Sequence, residues 1–312
     1  MERLSKLPVP AIATFLALLT MGNVYGGLGF VWLRYLIMGL GTIFVLCYLS
    51  KVVMFFSVCA KEYGQTIPMS LYAAMTMCLM ILGSFYYEIG LGFGKIIWLI
   101  AVIVHAVHIL VFTWQNIIAK RNIMTTMPSW FVTYNGIMVS CVTGGAMDAK
   151  PLLQVITIYG IIIYLLLVPV MIWRLIKVDI LPATYHTMAV LLAPCSLCVV
   201  SLINVYKTPN LGLTVFLYFC VVASLLFILI KLPDFFSFPF YPGFAGLTFP
   251  MAIGVVASQK MGGYLTEMGY ADMGYACTQL AGLQIFVTSM LVGYVLLMFL
   301  RMLLRKAPRT LQ

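Results

Sequence analysis

Apolar residues in this chain come in long unbroken runs, and the polar residues that separate them crowd into short gaps. A run of about 20 apolar residues is the length of a helix that crosses a bilayer. Marking the runs between charges and turn residues predicts ten helices, at 9–30, 34–56, 67–88, 95–118, 129–147, 152–174, 184–205, 210–231, 243–260 and 277–303. The runs are continuous rather than alternating, which favours a helical bundle over a β-barrel. The gaps are short except for a glycine-rich stretch at 261–276, which reads as a loop. The expected fold class is all-α integral membrane, with residues 1–312 as one transmembrane domain.

The ten helices are of two kinds. Pro10, Pro68, Pro128, Pro194 and Pro250 all fall at the start of, or inside, odd-numbered helices, at separations of 58, 60, 66 and 56 residues. That spacing suggests a helical hairpin of roughly 60 residues used five times. The odd helices also carry small or weakly polar residues three or four positions apart, on one face each. Candidate members of these stripes are Ala13, Ala17 and Thr20; Ser70 and Ala74; Thr133, Gly136 and Ser140; Pro194 and Cys198; and Ala252. The even helices run Leu, Ile, Val and Phe, with Pro169 as the main exception. Small stripes serve close helix packing or line a pore. Five stripes, all on proline-bearing helices, point to a pore lining, with odd helices inside and even helices facing lipid.

Composition fits a chain solvated by lipid. Hydrophobic residues make up 63% and charged residues 8%, where a soluble domain carries about 25% charge. The first apolar run is long for a cleaved signal and is read as a retained span. The net charge of +10 sits in gaps and tails, so it reads as a topology signal and not as a nucleic-acid footprint. With ten spans both termini share a side. That side collects Arg3, Lys6, Lys51, Lys61, Lys120, Arg121, Arg174, Lys177, Lys231, Arg301, Arg305, Lys306 and Arg309, against Arg34, Lys95, Lys150, Lys207 and Lys260 on the other. Both termini are therefore expected in the cytoplasm of a multi-pass protein of a cell (plasma or inner) membrane.

Enzyme chemistry has little footing. Cys195 and Cys198 lie in an apolar helix without basic neighbours or further ligands and read as packing residues. His105 and His108 share a helix face but lack a carboxylate; hydrogen bonding to a neighbouring helix is the plainer reading. His186 reads as a cap or interface residue, Asn23 and Asn135 as interhelical hydrogen bonders, and Glu88 as a solvated helix end. No metal site and no cofactor are expected. The spans hold almost no charge, whereas coupled carriers and cation pores generally use intramembrane carboxylates. A neutral lining with basic residues at its mouths suits an anion.

The stretches GLTFPMAIGVVAS (246–258), PSWFVTYNGIMVSCVTGGAM (128–147) and LLAPCSLCVVSLIN (191–204), together with ten spans and proline-bearing odd helices, carry a family resemblance. The chain resembles the tellurite-resistance/dicarboxylate transporter family, which includes TehA-type proteins, malate transporters and plant guard-cell slow anion channels. The resemblance implies a pseudo-fivefold bundle around a central pore, a homotrimer, and small inorganic or organic anions as partners. It also implies that an aromatic of the ninth helix plugs the pore, which by motif position is Phe249; Gly246 and Pro250 beside it are expected to set its pose. A channel or channel-like transporter is the leading expectation. A proton-linked or passive carrier of a C4-dicarboxylate such as malate, or of tellurite, is the alternative.

Overall fold

The computed structural model describes residues 2–119, 126–178 and 182–304. Lys120, Arg121, Arg305, Lys306 and Arg309, which enter the charge count above, lie outside the described residues. Among the described residues there are helices and turns and no strands.

The helices are α1 (Ala11–Gly27), α2 (Val31–Met54), α3 (Thr66–Glu88) and α4 (Phe93–Thr113, prolonged as a π-helix over Trp114–Ala119). Next comes α5, in three pieces (Trp130–Tyr134, Gly136–Met138 and Val139–Thr143), then α6 (Lys150–Lys177). A 3-10 segment, Pro182–Leu191, leads into α7 (Leu192–Val205), which is followed by α8 (Leu211–Phe236). A second 3-10 segment, Pro242–Leu247, leads into α9 (Thr248–Glu267), and α10 (Ala271–Leu304) closes the described chain. Two short helices, Glu2–Ser5 and Phe56–Tyr63, lie beside them.

Seven of these are long and apolar enough to cross a membrane: α2, α3, α4, α6, residues 184–205, α8 and α10. The others fall short for visible reasons. Helix α1 has 17 residues, α5 is interrupted at Asn135, and α9 is diluted by glycine and polar residues. The structure is that of an all-helical integral membrane protein.

Burial separates two classes of helix. The most apolar stretches of α3 and of 184–205 are 72% and 83% buried, against 28–39% for α2, α4, α6, α8 and α10. The second group presents large apolar side chains outward, such as Leu110, Ile176, Ile230 and Phe286. Apolar surface on that scale needs lipid or another protein against it.

The buried elements contact one another in a circuit. Helix α1 packs on α3, α3 on α5, α5 on α7, α7 on α9, and α9 returns to α1. Each also packs on the helix that follows it in sequence. Glycines make two of these crossings close. A Cβ on Gly83 would lie 2.8 Å from the Gly94 carbonyl, so α3 and α4 meet backbone to backbone. A Cβ on Gly262 would lie 2.5 Å from Thr278 Oγ1 and 3.0 Å from the Gly274 carbonyl. This second crossing corrects the expectation of a loop at 261–276. The glycines there let α9 and α10 touch, and helix continues to Glu267 and resumes at Ala271.

One turn recurs. Gly29, Gly90 and Gly269 have φ of 93°, 89° and 88°, a region open mainly to glycine. In each turn the residue after that glycine donates its N–H back across the helix end: Phe30 to Tyr25, Leu91 to Tyr86, Tyr270 to Leu265. This is the Schellman C-cap, which satisfies carbonyls the helix would leave free. Asp148, at φ 50°, takes the corresponding place after α5. Steps of 61, 58 and 121 residues separate the four positions, close to one, one and two of the proline spacing.

Lys51 shows how the short helix Phe56–Tyr63 is held. Its ammonium has no exposed side-chain surface and sits 2.8 Å from Glu62 Oε1 and 2.8 Å from the Leu7 carbonyl. Tyr72 donates to Glu62 Oε2 at 2.6 Å. A buried cation is tolerable only with partners of this kind.

Candidate functional site

A cavity of about 560 Å³ is lined by side chains from all five members of the circuit. On α9 the lining residues Phe249, Ile253, Val256 and Lys260 fall at helical spacing on one stripe. On α1 they are Thr20, Asn23, Val24 and Gly27, and on α3 Ile81, Ser84 and Glu88. Helix α5 adds Val139, Val142 and Thr143, and α7 adds Asn204. Exposure grades along these stripes. Lys260, Glu88, Asn204 and Gly145 are exposed, while Ile253, Ile81, Val139 and Phe249 are 1–5% exposed. The cavity therefore opens at the Glu88 end and narrows to an apolar floor that includes the Phe249 ring.

Of the small residues expected along a pore, Thr20 lines this cavity together with Phe249. Ala13, Ala17, Ser70, Ala74, Thr133, Gly136, Ser140, Pro194, Cys198 and Ala252 are buried and do not line it. Several have other neighbours. A Cβ on Gly136 would meet Met77 Sδ at 2.8 Å and His105 Cε1 at 2.9 Å. Thr133 Oγ1 reaches the Ser70 carbonyl at 3.4 Å, and Ser140 Oγ donates to the Ile137 carbonyl at 2.7 Å. The polar lining residues Arg34, Glu88, Asn204, Gln259 and Lys260 were absent from the sequence expectation. The signal for Lys260 was in the sequence: it lies eleven positions after Phe249, on the same helical stripe.

The local setting of Phe249 is built by the 3-10 segment before it. Pro250 is the third residue of α9, where a backbone N–H has no α-helical partner to lose. It marks the junction of 3-10 and α-helix rather than a break in mid-helix, and Pro194 holds the same place in α7. Gly246 lies in the 3-10 segment, where a Cβ would come within 2.8 Å of the His186 carbonyl. The His186 ring is fixed in turn, with Nε2 2.9 Å from the Phe235 carbonyl, Nδ1 2.6 Å from Tyr241 Oη and the Phe244 ring 3.8 Å away. Thr248 Oγ1 donates to Ala245 O at 2.7 Å and lies 3.4 Å from Ala13 O.

The other polar candidates serve the helix breaks. His105 Nε2 donates to the Thr133 carbonyl at 2.9 Å, and Nδ1 pairs with Thr76 Oγ1 at 2.6 Å. His108 bonds Tyr63 Oη at 2.7 Å and Thr133 Oγ1 at 3.3 Å. Asn135 Nδ2 donates to the Gly160 carbonyl at 2.8 Å. His105 thus gives a backbone carbonyl of the interrupted α5 a side-chain partner, while Asn135 ties the break to α6. Cys195 Sγ points at the Leu192 carbonyl, 3.3 Å away, and Cys198 is fully buried. Replacing His105 with leucine is expected to leave the Thr133 carbonyl unpaired and to cost about 1–3 kcal/mol. A lowered melting temperature of the purified variant in detergent, with its backbone fold retained by circular dichroism, is the check.

At the mouth, Arg34 Nη2 lies 2.5 Å from Glu88 Oε2 and Arg34 Nε lies 2.8 Å from Asn23 Oδ1. Ser84 Oγ lies 3.0 Å from Glu88 Oε1 and 2.9 Å from the Thr143 carbonyl, and its one proton is shared between these two acceptors. Lys95 and Asp148 pair at 3.5 Å on the same end.

Comparison with known families finds that residues 10–303 match the family described as SLAC1, voltage-dependent anion channel. Comparison with curated proteins finds no match.

Proposed function

We propose a transport path from one premise: this chain belongs to the SLAC1 family of voltage-dependent anion channels. Anion transport across a membrane is the function of that family, which is one of channels and transporters and not of enzymes. In our reading the ten helices form five hairpins, the odd helices enclose a central path, and Phe249 closes it at the floor of the cavity.

The observation that carries this reading is the cavity itself. It draws on all five members of the contact circuit, is open and charged at one end, and ends on an aromatic ring. The recurring turns at Gly29, Gly90, Asp148 and Gly269 support a repeated hairpin. The hydroxyls of Thr20, Ser84 and Thr143 donate to the carbonyls of Leu16, Thr143 and Val139, so they replace part of an anion's water shell only by exchanging those bonds for the ion. The carrier alternative for malate or tellurite needs a coupling group. Glu88, the carboxylate of this cavity, is exposed at the mouth and engaged by Arg34, which favours a passive path. The mouth lies on the side opposite the termini, so we assign it to the outer face, and we assign a homotrimer as the assembly.

Ion-replacement electrophysiology on the reconstituted protein tests the path. The reversal potential is expected to follow the anion gradient and to ignore the cation. Uptake of labelled malate that requires a pH gradient, without anion current, would replace the channel with the carrier. A reporter fused after Gln312 is expected to score cytoplasmic; an external score would overturn the assigned orientation.

A further inference from the structure

We propose that Glu88 sets the charge class of the anion admitted, by cancelling one of two positive charges at the cavity mouth, so that the site takes small monovalent anions in preference to dianions. This rests on the anion path proposed above. Three charged side chains line the cavity: Arg34, Glu88 and Lys260. The first two are seated as a pair. Glu88 offers one oxygen to Arg34 at 2.5 Å and the other to Ser84 at 3.0 Å. Arg34 is held by Asn23, lies over the Phe85 ring at 5.3 Å, and has room for its stem only because Gly26 lacks a Cβ, which would fall 2.6 Å from Arg34 Cδ. Lys260 is exposed at the same mouth on α9 and makes no ion pair among the described residues.

The mouth therefore presents one net positive charge. A monoanion finds that charge matched. A dianion finds half of its charge matched, and deeper in the cavity it meets Ile81, Val139, Ile253 and Phe249, which offer no second cation and a poor replacement for water. A unit charge a few ångströms away acts twice as strongly on a dianion as on a monoanion. At surface-type permittivity, with screening by salt, removing or adding that unit shifts their ratio by about tenfold.

The test compares wild type, Glu88→Gln, the double variant Arg34→Gln with Glu88→Gln, and Lys260→Gln. Each is reconstituted in the same bilayer, with chloride on one side and sulfate on the other. Glutamine keeps a partner for both Ser84 and Arg34. The chloride-to-sulfate permeability ratio is expected to fall about tenfold in Glu88→Gln. It is expected to return to the wild-type value in the double variant, which restores the net charge, and to rise in Lys260→Gln. An unchanged ratio in folded Glu88→Gln overturns the proposal, as does a double variant that stays with the single one. Absence of anion current in both wild type and Phe249→Ala would instead overturn the path, while anion currents with an invariant ratio would leave the path standing and remove Glu88 from its role.

Discussion

Replacing Phe249 with alanine is expected to raise anion conductance by roughly 10- to 100-fold. The reasoning starts from the ring's surroundings. Phe249 is 5% exposed at the inner end of the cavity, so on the proposed path an ion must push aside a packed aromatic side chain. Taking a Phe ring out of an apolar site costs about 1.5–3 kcal/mol. Each 1.4 kcal/mol of barrier is a factor of about ten in rate. Deleting the ring removes that barrier and leaves anion dehydration as the remaining cost. The same ring borders the cavity, so its loss enlarges an existing space and strains nothing. Phe249→Leu keeps much of the bulk and is expected to fall between alanine and wild type. Single-channel or macroscopic currents from reconstituted protein, normalised to folded protein by size-exclusion chromatography, decide it. Equal currents from wild type and a well-folded alanine variant would remove the plug.

Replacing Gly94 with valine is expected to abolish recovery of folded protein. A Cβ at Gly94 would press on the Gly83 carbonyl and the Tyr87 amide, and both are backbone atoms of α3. A side chain can swing away from a new methyl group, but a helix backbone moves only as a whole. Overpacking typically costs about 1–3 kcal/mol; here α3 and α4 must separate along their contact, so the cost lies at or beyond the upper end. Gly92→Ala, two residues earlier, supplies the control. Its Cβ would meet nothing within 4 Å, and a surface change of that kind stays within about 0.5 kcal/mol. Fluorescence-detected size exclusion of the two variants, made side by side, distinguishes a packing defect at the crossing from general intolerance of the turn.

These two positions also mark what the residue pattern could and could not reveal. Apolar runs gave the helical membrane class, because helix length and bilayer thickness are matched physically. The difference between small-residue and leucine-rich helices anticipated the burial contrast between α3 or 184–205 and the remaining long helices. Phe249 was reached through its motif. The lining was harder. Periodicity identifies a face but not the neighbour that face meets. Gly136 is small because Met77 and His105 occupy the space beside it. Gly83, Gly94, Gly262 and Gly274 are small because another backbone passes close by. Glycine at 261–276 was read as a breaker, yet in lipid its use is contact. In the sequence Glu88 reads as a solvated helix end and Lys260 as one of the basic residues of the side opposite the termini. Both are exposed; the place of Glu88 on the cavity wall comes only from three-dimensional register, whereas Lys260 also falls on the helical stripe of Phe249.

The contact circuit has one seam unlike the others. Four of its five contacts join successive odd-numbered helices, whereas α9 meets α1 across more than two hundred residues. The Thr248 hydroxyl facing the Ala13 carbonyl spans 235 positions, and Tyr25 bonds Ser289 across 264. Synthesis runs from the N-terminus, and early segments settle before late ones exist. During translation α1, α3, α5 and α7 are left as an open crescent, and the proposed path has no enclosure until α9 is inserted. The ring at Phe249 arrives on that same helix. On the proposed path the nascent protein thus acquires its enclosure and its stopper in a single step, and a chain that stops before α9 has neither.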